Sequence, residues 1–314
     1  MRSTRARALL GLLIAVALMA AACGDDDNAS SGSGGTLQFK ALDAGGPLTK
    51  AALRNNDIQV ALLFTSDADI AVEKWVLLDD DKKLQPAENL IPAIRKSADS
   101  AALEKALNAV SKPLTTVELT ELNRQQSQDK QDSSKIAKAW LEKKKLVPYS
   151  GDKLTGSIKV GSTNFGEQEI VAEVYAQVLE SAGMKVDRKF KLGNREVVAP
   201  ALEKGDIDLY PEYVGSYTSF LDKNATVPTD VDKAVTQLRS LAAAKSVVLA
   251  DAAPAEDKNG FVVTKATADK YKLKAVSDLK DVKDTLTFGG PPECPQRPYC
   301  AIGLQQTYGL TVKV

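Results

Sequence analysis

Histidine is absent from this chain of 314 residues, and cysteine occurs only three times. Without histidine the commonest general base and the usual nitrogen ligand of zinc are both missing. The sequence also has no GxSxG elbow, no Walker A loop and no recognisable cluster of metal ligands, so hydrolase, kinase and metalloenzyme chemistries each lose their usual parts. No catalytic residue, metal or cofactor is assigned, and Asp206 and Asp208 read as ordinary turn and strand-edge carboxylates. Charge of one sign is lacking too, because 41 basic residues balance 41 acidic ones. With no basic stripe and no interleaved aromatics, a nucleic-acid partner is excluded. Aromatic residues are 5% of the chain, so a site built from ring faces has few rings to draw on.

The apolar run from Ala8 to Ala22 is too short for a transmembrane span. It follows Arg2, Arg5 and Arg7 and leads through the small residues Ala21 and Ala22 to Cys23. This is the form of a lipoprotein signal peptide, cut before a cysteine whose thiol takes a diacylglycerol. An ordinary secretory signal with an unused cysteine is the alternative. On the first reading residues 1–22 are the leader, and Cys23 tethers the chain to the extracytoplasmic face of the cell membrane. Residues 23–35 are acidic, then Ser- and Gly-rich, and form a flexible linker. Folding begins near Thr36, and the length of chain beyond it suits two lobes of ordinary size. Export makes a disulfide the first reading of Cys294 and Cys300 in PPECPQRPYC, with a zinc pair as the rival.

Ile158 and Val160 mark a strand, and Asn164 and Glu167 have capping-box spacing for a helix beginning near Phe165. Ile170, Val171, Val174, Tyr175, Val178 and Leu179 recur at helical spacing, and Gly183 suits a left-handed helix end. A strand over 186–192, a short helix over 196–204 and a strand over 207–210 come next. This alternation implies a parallel sheet with covering helices. Further on, a helix is expected over 231–244, strands over 247–249, 261–264 and 286–288, and mostly helix over 265–282. In the first half, 47–54 reads as a helix, 58–64 as a strand and 101–145 as a set of surface helices.

The motifs GSTNFGEQ and DLYPEYVGSY, inside the run from Gly156 to Tyr217, resemble the opening of the glycine betaine, choline and carnitine binding proteins of osmoprotectant ABC importers. The segment that would close such a protein, KALDAGGPLTKAALRNNDIQVALLFTSDADI onward to AWLEKKKL, comes first here, over 40–146. The resemblance therefore implies an α/β, two-lobed type II periplasmic-binding-protein-like fold, circularly permuted, with a ligand cleft between lobes. On that map 36–70 and 254–314 build one split lobe, 71–253 builds the other, and 147–155 is the permutation linker. Exchange of lobes between two chains, or a rearranged copy of a tandem gene pair, are the alternatives to a closed monomer.

The resemblance also implies a small quaternary-ammonium solute, held by aromatic faces and, where it carries a carboxylate, by polar donors. Tyr213 falls where the family places a cage tyrosine, and Ser216 where a hydroxyl contacts the ligand carboxylate. Arg297 matches the carboxylate-binding arginine, with a surface arginine as the plainer reading. Phe64 and Phe261 sit where relatives have cage tyrosines, and each reads equally as a core phenylalanine. Near Ala87, where relatives place another ring, this chain has none. Thr163 stands where some relatives carry a lysine. Thr163, Asn164 and Gln168 offer polar groups at a helix N-terminus, with capping as the other role of Asn164. Thr65, Ser66 and Asp67 are expected at the hinge or in the pocket, and Tyr210 and Tyr217 at its rim or in packing. The partners implied are an ABC permease with its ATPase. A sensor or scaffold lipoprotein of the same fold, binding a different small molecule, is the alternative.

Overall fold

The computed structural model describes residues 35–314. The leader, Cys23 and the linker up to residue 34 lie outside the described residues. One sheet is built from β1 (Thr36–Ala41), β2 (Val60–Phe64), β3 (Val76–Leu77), β9 (Asn259–Val263), β10 (Leu286–Gly290) and β11 (Thr311–Lys313), in the order β11-β1-β10-β2-β9-β3. Its first four neighbours run parallel, whereas β9 is antiparallel to both β2 and β3. The other sheet comprises β4 (Leu90–Arg95), β5 (Ser157–Gly161), β6 (Lys185–Lys189), β7 (Leu209–Tyr213) and β8 (Val247–Leu249), in the order β6-β5-β7-β4-β8. The fold is therefore mixed α/β with two sheets, in keeping with the alternating patterns and with the two-lobed class that the resemblance implies.

Both faces of the second sheet are buried. Leu90, Ile94, Ile158 and Val160 pack under α3 (Ala101–Ser111), α4 (Thr116–Ser127), α5 (Ser133–Lys143) and α6 (Gly166–Ala182). Ile91, Ala93 and Tyr210 face the other way, against α7 (Arg195–Lys204), α8 (Val214–Leu221) and α9 (Val231–Ala243). The first sheet is flanked by α1 (Pro47–Arg54) with α2 (Ala68–Val72) nearby, and by α10 (Lys265–Tyr271) on the way to β10. No helix among the described residues is long and apolar enough to cross a membrane.

Several local expectations are corrected. The strand expected over 186–192 stops at Lys189, and the chain turns so that the Leu192 N–H donates to the Ser162 carbonyl. The stretch 265–282 is mostly helical as expected, but in two pieces, an α-helix that ends at Tyr271, where Lys272 adopts the left-handed conformation (φ 57°), and a 3-10 helix over Val276–Asp281. The capping box at Asn164 and Glu167 does not form, because α6 starts at Gly166 and the Asn164 side chain is exposed. The Phe165 N–H instead donates to the Thr163 hydroxyl at 3.3 Å. At the other end Gly183 is left-handed as expected, with φ 111°.

Strand β4 has no counterpart in the sequence reading, since its proline argues against a central strand. Pro92 is the register partner of Pro211, and β8 ends at Leu249, opposite Ala93. The missing N–H thus falls just beyond the ladder that would have used it.

The map of lobes is corrected at one boundary. Because β3 pairs with β9, the first lobe runs past Ile70 to Leu77. The chain crosses to the second sheet over 78–89 and returns over 250–258. The two crossings lie side by side, with Asn89 bridged to Glu256 and the Leu90 N–H donating to the Ala255 carbonyl at 2.9 Å.

Candidate functional site: a cleft between the two sheets

A cavity of about 570 Å³ lies at the carboxyl ends of strands from both sheets, the place where open α/β folds form their crevices. Phe64 ends β2, Tyr213 ends β7, and the segment after β10 brings in Pro291, Arg297 and Tyr299. Phe165, just ahead of α6, faces Phe64 across the cleft with ring centroids 6.0 Å apart and planes inclined by 56°. The crossing segments contribute Glu88 and Asp257.

The carboxylates distinguish this cleft. Glu167 is buried in the first turn of α6 and accepts from the Tyr213 hydroxyl and the Asn123 amide. Asp257 accepts from the Ser66 N–H at 3.2 Å and the Ser66 hydroxyl at 2.7 Å, both at Oδ1. Among the described residues no donor reaches its Oδ2. Burial pushes both carboxyls up, Asp257 well above the usual range, with repulsion from Glu167 adding to its shift. Burial likewise raises the Tyr213 phenol, with the Glu167 charge adding to it.

Glu88 accepts from the N–H groups of Gly215 and Ser216, each at 2.9 Å, and from the Ser216 hydroxyl. These donors form the first turn of α8, where unpaired N–H groups and the helix dipole favour an anion. Burial nevertheless raises the Glu88 carboxyl above its ordinary value.

Both arginines of the cleft are already paired. Arg195 donates to Glu212 at 2.6 and 2.9 Å, and Glu212 also accepts from the Tyr210 hydroxyl and the Tyr213 N–H, each at 2.8 Å. Arg297 is largely exposed and lies 3.1 Å from Glu293. Glu88, Asp257 and Glu167 have no ion-pair partner among the described residues. The cleft therefore sets two carboxyls that lack a cation partner, Glu88 and Asp257, beside aromatic faces, with Glu167 reached through its hydrogen bond to Tyr213.

Tyr213, Phe64, Arg297 and Ser216 line the cavity, but Ser216 is engaged by Glu88 rather than free for a ligand carboxylate. Phe261 does not line it. Its ring is buried in the core of the first sheet, 5.8 Å from that of Phe288, because its strand position points away from the cleft. Thr163 and Gln168 are buried behind the start of α6, where the Thr163 N–H meets the Gln168 side-chain oxygen at 3.4 Å, and exposed Asn164 does not reach the cavity. Thr65 accepts from the Lys258 N–H at 2.9 Å beside the returning crossing. Asp67 caps α2 and pairs with Lys50, so it is a structural carboxylate of the first lobe. Tyr210 and Tyr217 are packing residues, with rings 6.5 Å apart.

The sequence reading missed Phe165, Glu88, Glu167, Asp257 and Arg195. The spacing of Glu167 suggested a cap, and Asp257 between two charged neighbours resembles a solvated loop. Neither signal reports burial.

Cys294 and Cys300 are joined, both buried, and the loop they close carries Arg297 and Tyr299 to the cleft. Replacing both with serine is expected to lower the unfolding free energy by about 2 kcal/mol, the chain-entropy contribution of so short a loop. A urea denaturation midpoint unchanged from wild type would count against that role.

A family model described as the substrate binding domain of an ABC-type glycine betaine transport system matches residues 35–143 and 156–314. The glycine betaine-binding protein YehZ of Escherichia coli (strain K12) is 31% identical over 124 residues, covering 39% of this chain and 41% of that protein. The carnitine transport binding protein OpuCC of Listeria monocytogenes serotype 1/2a (strain 10403S) is 26% identical over 151 residues, 46% of this chain and 47% of its own. The ergothioneine transport permease/ergothioneine binding protein EgtU of Helicobacter pylori (strain G27) is 26% identical over 144 residues, 45% of this chain and 26% of its own. The chain thus spans less than half the length of these curated relatives.

Proposed function

Because the chain belongs to the substrate-binding family of ABC-type glycine betaine transport systems, we propose that it is the extracytoplasmic solute receptor of an ABC importer, closing its cleft on a small quaternary-ammonium solute. The observation that carries this reading is the pairing of ring faces with uncompensated carboxylates in one interlobe cavity. A methylated ammonium has no N–H to donate and is held by diffuse attraction to π faces, about 0.5–2 kcal/mol for each well-placed ring. Phe64, Phe165 and Tyr213 supply the faces, Asp257 supplies the countercharge in the lining, and Glu167 adds to it through its hydrogen bond to Tyr213. Two adjacent crossing segments form a hinge about which the lobes close, and closure strengthens each charge contact by excluding water.

The receptor reading carries three further proposals. Cys23 bears the lipid anchor, which holds the receptor beside a permease and its ATPase. The two halves of the sequence are circularly permuted, with a linker near 147–155. Supporting the permutation, the family match is interrupted over 144–155, a surface stretch between α5 and β5.

Calorimetric titration of the full-length chain in mild detergent, with choline, glycine betaine and carnitine, tests the receptor reading. Saturable binding to at least one of them is expected, together with its loss in Tyr213→Ala. No heat from any of the three, with a folded protein, would overturn the ligand class.

A further inference from the structure

We propose that Glu88 is a built-in counter-anion that decides ligand charge, so that the cleft takes a solute with a net positive charge and disfavours a zwitterion. This rests on the receptor reading above and narrows its substrate class.

The start of α8 is the natural seat for a ligand carboxylate in this cleft, since the N–H groups of Gly215 and Ser216 and the Ser216 hydroxyl converge there. All three already donate to Glu88. The close approach depends on Gly215, because a Cβ there would lie 2.6 Å from the Ala87 carbonyl oxygen and 3.1 Å from Glu88 Oε2. A ligand carboxylate would have to displace Glu88 or approach it, and like charges at contact distance disfavour binding strongly.

A second observation points the same way. Asp257 lines the same cavity with its Oδ2 unpartnered among the described residues, and neither cleft arginine is free of a carboxylate. A zwitterion would bring one negative charge into a cleft whose cations among the described residues, Arg195 and Arg297, already face Glu212 and Glu293. A monocation brings only the charge that Asp257 lacks.

Choline and glycine betaine form a matched pair of probes, since both carry a trimethylammonium and only the second carries a carboxylate. Wild type is expected to bind choline at least about tenfold more tightly than glycine betaine. Glu88→Ala, which vacates the seat, is expected to narrow that ratio by about tenfold or more, and Glu88→Gln, which removes only the charge, to narrow it less. Equal affinities in wild type, or an unchanged ratio in Glu88→Ala, would overturn the proposal.

If neither probe binds folded wild type, the ligand class proposed above fails, and the seat is judged without it. Acetate at about 0.5 M, compared with chloride at equal ionic strength, is expected to raise the Tm of Glu88→Ala by about 2–4 °C and to leave wild type unchanged. Equal responses in both proteins would overturn the assignment of Glu88.

Discussion

Replacing Arg195 with methionine is expected to lower the unfolding free energy by about 3–5 kcal/mol, because it leaves a buried carboxylate without its cation. Glu212 has no exposed side-chain surface and receives both guanidinium donors of Arg195. The loss is a large fraction of the total stability of an ordinary domain, about 5–15 kcal/mol, so the variant unfolds at much lower urea. Its cause is an unpaired charge rather than lost packing, and a second substitution separates the two. Glu212→Gln in the Arg195→Met background removes the charge and keeps one oxygen for the Tyr213 N–H, while its NH2 replaces the oxygen facing the Tyr210 hydroxyl, which turns to accept. Most of the lost stability should return. A single variant within about 1 kcal/mol of wild type, as for surface ion pairs, or a double variant no more stable than the single one, would count against this account.

Affinity for a cationic solute is expected to rise with pH and then level off. Burial first, and for Asp257 the neighbouring Glu167 next, hold both carboxyls above their ordinary range in the empty cleft. Glu88 and Glu212 add negative charge nearby, whereas Arg195 is occupied by Glu212. A bound cation favours the ionised forms, so binding expels a proton. Between the pKa of the complex and that of the empty cleft, affinity climbs by up to about tenfold per pH unit for each proton released; above the empty-cleft value it is flat.

The stability of the empty protein runs the opposite way. A carboxyl whose folded pKa is raised contributes stability that is fully present below its unfolded pKa and is lost as pH rises through the folded value. Asp257→Asn keeps an acceptor for Ser66 and abolishes one titration. It should weaken the binding of a cation, flatten its pH profile and stabilise the empty protein on the alkaline side. Titrations in two buffers of different ionisation enthalpy count the protons released. Affinity falling with pH, or an Asn variant with the wild-type slope, would refute the scheme.

The helices α1, α6 and α9 were legible within a residue or two, from Pro47 at the start of α1, Gly183 at the end of α6 and the apolar residues that recur on one face of α6 and α9. Strand β4 was not, because Pro92 argues locally against a strand, and only its neighbours reveal that the missing N–H has no ladder partner. Tyr213 and Phe64 were found from motifs that end at strand termini. Phe261, which read equally as a cleft or a core ring, lies in the core, since the face a strand residue takes follows from register, and register is a relation between strands.

By itself the sequence determined the class of this protein: alternating apolar patterns that need two covered sheets, an absence of histidine and catalytic motifs, and a family signature carried in two blocks. The tertiary structure alone decided the charge of the site. Glu88, Glu167, Asp257 and Arg195 are inconspicuous letters in three separate stretches of chain, and what each does depends on whether folding brings a donor, a cation or another carboxylate within a few ångströms of it. Burial and pairing are properties of the assembled cleft, and no pattern within any one of those stretches reports them.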